Sequence, residues 1–113
     1  MSVTAALTTA ISGLFGQAQS VAVSAHNIAN SSTPGYRPAN VALTSTSVGG
    51  RGGGVQSQVR VPAIFEAHTN APSEVDLAAE FGRLMQAQHA YDASAKVFSV
   101  ASEMAGSLLD VKT

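Results

Sequence analysis

The chain has 113 residues, of which 45% are hydrophobic and only 12% charged, with a formal net charge of −1. That length allows one domain at most, and that charge balance carries neither the basic footprint of a nucleic-acid binder nor an attraction to anionic membrane. Cysteine is absent, which excludes disulfides and thiolate metal sites.

No Asp, Glu, Lys or Arg precedes Arg37. Within that neutral stretch Leu7, Ile11, Leu14, Ala18, Val21, Ala25 and Ile28 step alternately by four and three. The spacing predicts a helix from about Val3 to Asn30, N-capped by Ser2, with a heptad seam along one side. A surface helix normally carries charge on its outer face; this one offers Ser, Thr, Gln, Asn and a single His. Such a helix is enclosed by protein in its working state, and a chain this small cannot enclose it alone. Other copies or partners are expected to supply the cover. Gly13 and Gly16 each cost the helix roughly 1 kcal/mol against Ala, a cost tolerated where another backbone comes close. The start lacks a basic n-region and no window supplies the roughly 20 apolar residues of a membrane span, so any export is expected to leave the N-terminus uncleaved.

The run Asn30-Ser31-Ser32-Thr33-Pro34-Gly35 ends the helix. Asn30 accepts the left-handed conformation at a helix end, and Pro34-Gly35 suits the centre of a type II turn. Residues 31–72 form a turn and an irregular or β segment. Val41 and Leu43, then Val55, Ser57, Val59 and Val61, alternate with other residues as two short strands, a hairpin around the loop Gly49–Gly54. Two strands alone are marginal in water, so they must pack on the helices or on a neighbour.

Ser73-Glu74-Val75-Asp76 opens a second helix, spanning 73–112, with an acidic capping signature. Leu77, Leu84, Tyr91, Phe98 and Ala105 recur every seventh residue, flanked by Phe81, Gln88, Ala95, Ser102 and Leu109. Glu80, Arg83, Asp92, Lys96 and Glu103 fall off that seam, and Val97, Ala101, Met104, Leu108 and Val111 make a second stripe. The predicted fold is mainly α, a single domain over 1–113. Two long terminal helices (2–30 and 73–112) pair as an antiparallel coiled coil, with the short 31–72 segment between them.

The sequence offers no catalytic constellation, no cofactor motif and no metal-ligand spacing. His26, His68 and His89 are scattered, the glycines at 49–54 lack the Lys-Ser or Lys-Thr and the helix of a phosphate loop, and Tyr91 falls on the seam. No enzyme, small-molecule substrate or nucleic acid is expected. One cluster asks for more than turn chemistry: Ala25-His26-Asn27-Ile28-Ala29-Asn30-Ser31-Ser32-Thr33-Pro34-Gly35-Tyr36. A helix end followed by a turn does not require an amide at Asn27 one turn before Asn30, or an aromatic directly after the glycine.

That segment resembles the A-N-N-I-A-N-x-x-T-P-G-Y motif of the bacterial flagellar basal-body rod and hook proteins, departing from it at His26. Val75-Asp76-Leu77-Ala78-Ala79-Glu80-Phe81 and Ala87-Gln88-His89-Ala90-Tyr91-Asp92-Ala93-Ser94-Ala95-Lys96-Val97 are similar to V-D-L-x-x-E-F and A-Q-x-A-Y-x-A-x-x-K-V at the other end of the same proteins. The resemblance covers roughly half the chain, and the short middle is similar to the proximal-rod type. It implies a structural rod subunit without catalytic activity. Such a subunit is exported by the flagellar type III apparatus and assembles with copies of itself and related subunits into a helical tube in the basal body. Leu7, Ile11, Leu14, Val21 and Ile28, with Leu77, Phe81, Leu84, Tyr91, Phe98 and Leu109, are the expected assembly residues. Asn27, Asn30, Thr33, Pro34, Gly35 and Tyr36 set the exit from the first helix. The competing reading is a small secreted helical-hairpin effector or adhesin acting as a discrete dimer.

Overall fold

The computed structural model describes residues 2–62 and 70–111. The part of the expected middle segment at 63–69, His68 included, lies outside these residues, as does position 112 of the expected second helix. In chain order the elements are helix α1 (Val3–Ala29), strands β1 (Asn40–Val48) and β2 (Arg51–Arg60), and helix α2 (Leu77–Asp110).

Helix α1 starts as its sequence predicts. The Ser2 hydroxyl accepts from the Ala5 amide at 3.2 Å, satisfying one of the amides a helix start leaves unpaired. Its end differs from expectation. Asn30 is not left-handed but sits at φ −101°, because its side chain is already engaged: Nδ2 donates to the His26 carbonyl at 2.9 Å and Oδ1 accepts from the Thr33 hydroxyl at 3.2 Å. Reversal of the chain falls instead to Thr33–Tyr36. Gly35 takes φ +73° and the Tyr36 amide donates to the Thr33 carbonyl at 3.2 Å, which fits the predicted type II turn around Pro34-Gly35.

Helix α2 begins at Leu77, not at Ser73. Asp76 is the N-cap and accepts from the Ala79 amide at 3.2 Å. The reason is tertiary. The Glu74 amide donates to the Tyr36 carbonyl at 3.0 Å and the Gly35 amide donates to the Ala71 carbonyl at 2.7 Å. These bonds hold 71–74 alongside the turn that leaves α1, so the capping Ser73-Glu74 pair is spent outside the helix.

The two strands pair antiparallel as expected, but the six-residue loop does not form. Gly49 and Gly50 alone make the turn, both at positive φ (+60° and +76°), the requirement of a two-residue hairpin of the primed type. Gly52 to Gly54 belong to β2, where a register shift opposite Thr46/Ser47 inserts one extra residue. The hairpin lies on α1. The Val55 amide donates to the Ser12 hydroxyl at 3.0 Å, the Ser57 hydroxyl donates to Gln19 Oε1, and Gly16 faces Leu43 and Val55.

The helices run antiparallel, since Asn27 bonds Glu80 while Gly13 stands against Ser94. Their contact is not made by the predicted heptad seams. Apart from Gly16, which faces the hairpin, the buried residues are small or polar: Ala10, Ser24 and Asn27 on α1, and Glu80, Ala87 and Ala101 on α2. Small side chains let two helix backbones approach closely; the bulky positions then flank the contact and cannot fill it. The molecule is correspondingly slender, 69 × 27 × 17 Å.

Candidate functional site

Two features separate this molecule from a plain helical hairpin. One is a polar junction where the two motif segments meet. The other is an apolar face along both helices.

The junction is built on Asn27, which α1 carries one turn before its end, and on Glu80, in the first turn of α2. Each is only 1% exposed. Burying an amide costs several kcal/mol unless its donors and acceptors are paired, and Asn27 is paired throughout. Its Nδ2 donates to the Ala39 carbonyl at 2.8 Å and to Glu80 Oε1 at 3.1 Å. Its Oδ1 accepts from the Tyr36 hydroxyl at 2.8 Å and from the Ala39 amide at 3.0 Å. One side chain thus ties the end of α1 to the chain after the turn and to α2. Asparagine supplies two donors and two acceptor lone pairs together; an ionised carboxylate offers no donor and a hydroxyl only one. Glu80 Oε1 also accepts from Arg83 at 2.7 Å, while Glu80 Oε2 is buried without a partner among the described residues. Outside the hub Arg37 reaches Glu74 at 3.4 Å in a largely exposed pair, and the rings of His26 and Tyr36 meet edge-on at 5.9 Å.

Desolvation, and then the Glu80 charge, raise the Tyr36 hydroxyl above its ordinary value of 10.0. Because the fold favours the neutral phenol, its contribution to stability is intact below about pH 10 and is lost as pH climbs through the raised value. We expect an alkaline loss of stability in denaturant titrations that is absent from Tyr36→Phe, which has no proton to lose.

Of the predicted exit residues, Asn27 and Tyr36 meet in the hub. Asn30 and Thr33 bond each other beside it, and Pro34 and Gly35 form the exposed turn. Glu80 is a correction: it is not a sparse charge off the contact but the buried partner of Asn27. Its signal lay in the V-D-L-x-x-E-F resemblance, where the glutamate is part of the motif; charge counting alone treats it as a solvated residue.

The predicted assembly residues fall on the second feature. None of Leu7, Ile11, Leu14, Val21 and Ile28 on α1, or Leu77, Phe81, Leu84, Tyr91, Phe98 and Leu109 on α2, is buried. They flank the small-residue contact on the side of α1 turned away from the hairpin. There Ala18, Val21, Leu84, Gln88 and Tyr91 line a groove of about 480 Å³ between the helices. Half the surface of Phe81 and 73% of Phe15 are open to solvent, and extensive apolar exposure of this kind marks an interaction surface. Among the described residues no group of three or more His, Asp or Glu could hold a metal ion, and no helix is long and apolar enough to cross a membrane.

Comparison with known proteins falls on the same two segments. Residues 7–37 match the family described as flagella basal body rod protein, and residues 72–111 match the one described as flagellar basal body rod FlgEFG protein C-terminal. The first match spans α1 from Leu7 onward and the turn as far as Arg37; the second spans the approach to α2 and the whole of that helix. No curated protein matches the chain.

Proposed function

The chain belongs to the flagellar basal body rod family, and on that premise we propose that it is a structural subunit of the rod that assembles with copies of itself and related axial proteins into a helical tube. The uncovered apolar face along α1 and α2 carries this reading: it is long, the residues named on it are uncharged, and none of the described residues is laid over it. In the tube the paired terminal helices form a coiled-coil inner layer, and the hairpin faces away from it. Contact is heterologous, one surface of a subunit against a different surface of the next, so it propagates without closing. The 36 to 72 segment is too short for an outer domain, which favours a proximal position in the rod. Export proceeds through the flagellar apparatus.

Electron microscopy of basal bodies from cells lacking this chain tests the proposal. Basal bodies with an incomplete or missing rod are the expected result. Complete rods and normal motility would overturn it.

A further inference from the structure

The two strands of the hairpin differ at their outer edges. Among the described residues β1 and β2 pair only with each other, so each keeps one edge without a strand. Such an edge is a template for another chain unless something blunts it. On β2 several things do. Arg51 and Arg60 stand at its ends, glycines fill 52–54, and the register shift adds a residue. Its edge also meets α1, where Ser12 takes the Val55 amide. Strand β1, from Asn40 to Val48, has none of these devices. It is nine residues long, uncharged, without proline or glycine, and rich in the valine and threonine that suit a strand.

The register shows which backbone groups of β1 point outward. Because the Val55 amide turns to Ser12, its partner Ser45 stands in a non-hydrogen-bonded pair. Alternation along an antiparallel ladder puts Leu43 and Val41 in the same class, so the amides and carbonyls of all three face the free edge. That edge borders a cleft of about 310 Å³, to which the hairpin brings residues of β1 and none of β2. Ser20 and Ser24 of α1 and Glu80 and Gln86 of α2 line it with Val41 and Leu43. Glu80 is the residue whose Oε2 is buried without a partner among the described residues. Its charge is already met by Arg83, 2.7 Å from Oε1. What Oε2 lacks is therefore a hydrogen-bond donor, not a counter-ion.

We propose that β1 receives an extended segment of a partner protein as a third strand. The main chain of that segment bonds Val41, Leu43 and Ser45, and its alternate side chains turn toward the helices. One of these, a serine, threonine or amide side chain, enters the cleft and donates to Glu80 Oε2. The segment is uncharged where it docks, since neither β1 nor α1 offers a charge to answer one. Backbone pairing and one buried polar contact make this surface separate from the apolar stripes of the helices, and it does not rest on the rod reading.

The test adds a blocked peptide, acetyl-Thr-Val-Thr-Val-Thr-Val-amide, to the isotope-labelled full chain and follows it by NMR. Saturable shifts are expected along Asn40–Val48 and not along Arg51–Arg60, with exchange of the Val41, Leu43 and Ser45 amides slowed about tenfold or more at saturation. Ser45→Pro removes an outward amide and spares the ladder, a place where a sheet tolerates proline. It is expected to keep the hairpin and bind the peptide about tenfold more weakly. Thr44→Pro, in the opposite phase, should lose the hairpin itself. A peptide with alanine for threonine should also bind more weakly to the unsubstituted chain. That preference should vanish in Glu80→Gln, which can offer a donor where the hydroxyl needs an acceptor; if this variant does not fold, the other arms still decide. No binding of either peptide, undiminished binding to Ser45→Pro, shifts confined to β2 or the helices, or discrete dimers joined β1 to β1 would overturn the added strand. Equal binding of the two peptides would overturn the contact with Glu80. Each of these outcomes leaves the rod reading in place.

Discussion

Asn27→Ala is expected to lower the free energy of unfolding of the isolated chain by about 3–5 kcal/mol, while Asn30→Ala costs about 1 kcal/mol. The two asparagines lie one helical turn apart in the same motif and differ in what their loss strands. Asn30 bonds a helix carbonyl and a hydroxyl in exposed surroundings, where water replaces it at little cost. Removal of the Asn27 amide leaves the Ala39 amide and carbonyl, the Tyr36 hydroxyl and the Glu80 carboxylate without their partner. Glu80 already carries one buried oxygen that nothing bonds, so the deletion worsens an existing deficit. Native proteins hold only about 5–15 kcal/mol in all, and this loss is a large share of it. Asn27→Asp should be worse than alanine at neutral pH, because it places a second carboxylate against Glu80. Chemical denaturation of the three variants measures the ranking. Equal small losses at positions 27 and 30 would show that the hub does not hold the helix ends together.

Much of this architecture is legible in the residues, and the illegible part has a physical cause. Ser2 as a cap, the hairpin strands and the Pro34-Gly35 turn follow from local chemistry that tertiary structure leaves alone. The start of α2 does not, because Glu74 gives its amide to Tyr36, a bond between residues far apart in sequence. The helix contact is hidden for a different reason. Hydrophobic periodicity picks out large apolar positions, yet on α2 the buried positions Glu80, Ala87 and Ala101, with Ser94 against Gly13, share one seven-residue phase that holds no large apolar side chain before Leu108. A rule that rewards bulk selects the neighbouring phase, Leu77, Leu84, Tyr91 and Phe98, none of which the fold buries. The expected seam is thus real as a stripe, but it lies beside the intramolecular contact. Family likeness supplies what periodicity lacks, since both hub residues, Asn27 and Glu80, sit in the motif segments that the two family matches cover.

Leu84→Asp is expected to abolish incorporation into the rod while changing the stability of the free chain by only about 1 kcal/mol, and His89→Asp is expected to do neither. In the free chain Leu84 is half-buried at the groove, so a carboxylate there can still turn to water, and surface substitutions of this kind are mild. Once a neighbour covers the groove that escape closes. An unpaired charge held in an apolar contact costs several kcal/mol, on the order of a thousandfold in affinity for each contact, and every subunit in a polymer repeats the same defect. His89 is exposed on α2 roughly 140° around the helix from Leu84, at 100° per residue, so the same charge there should meet solvent in free and assembled subunits alike. Motility, rod yield and a denaturation curve for each variant separate the cases. Loss of rods with both substitutions would mean that net charge, and not this face, governs assembly. Normal rods from Leu84→Asp would mean that the groove stays open to water in the finished tube, and the exposed seam residues would then need another explanation.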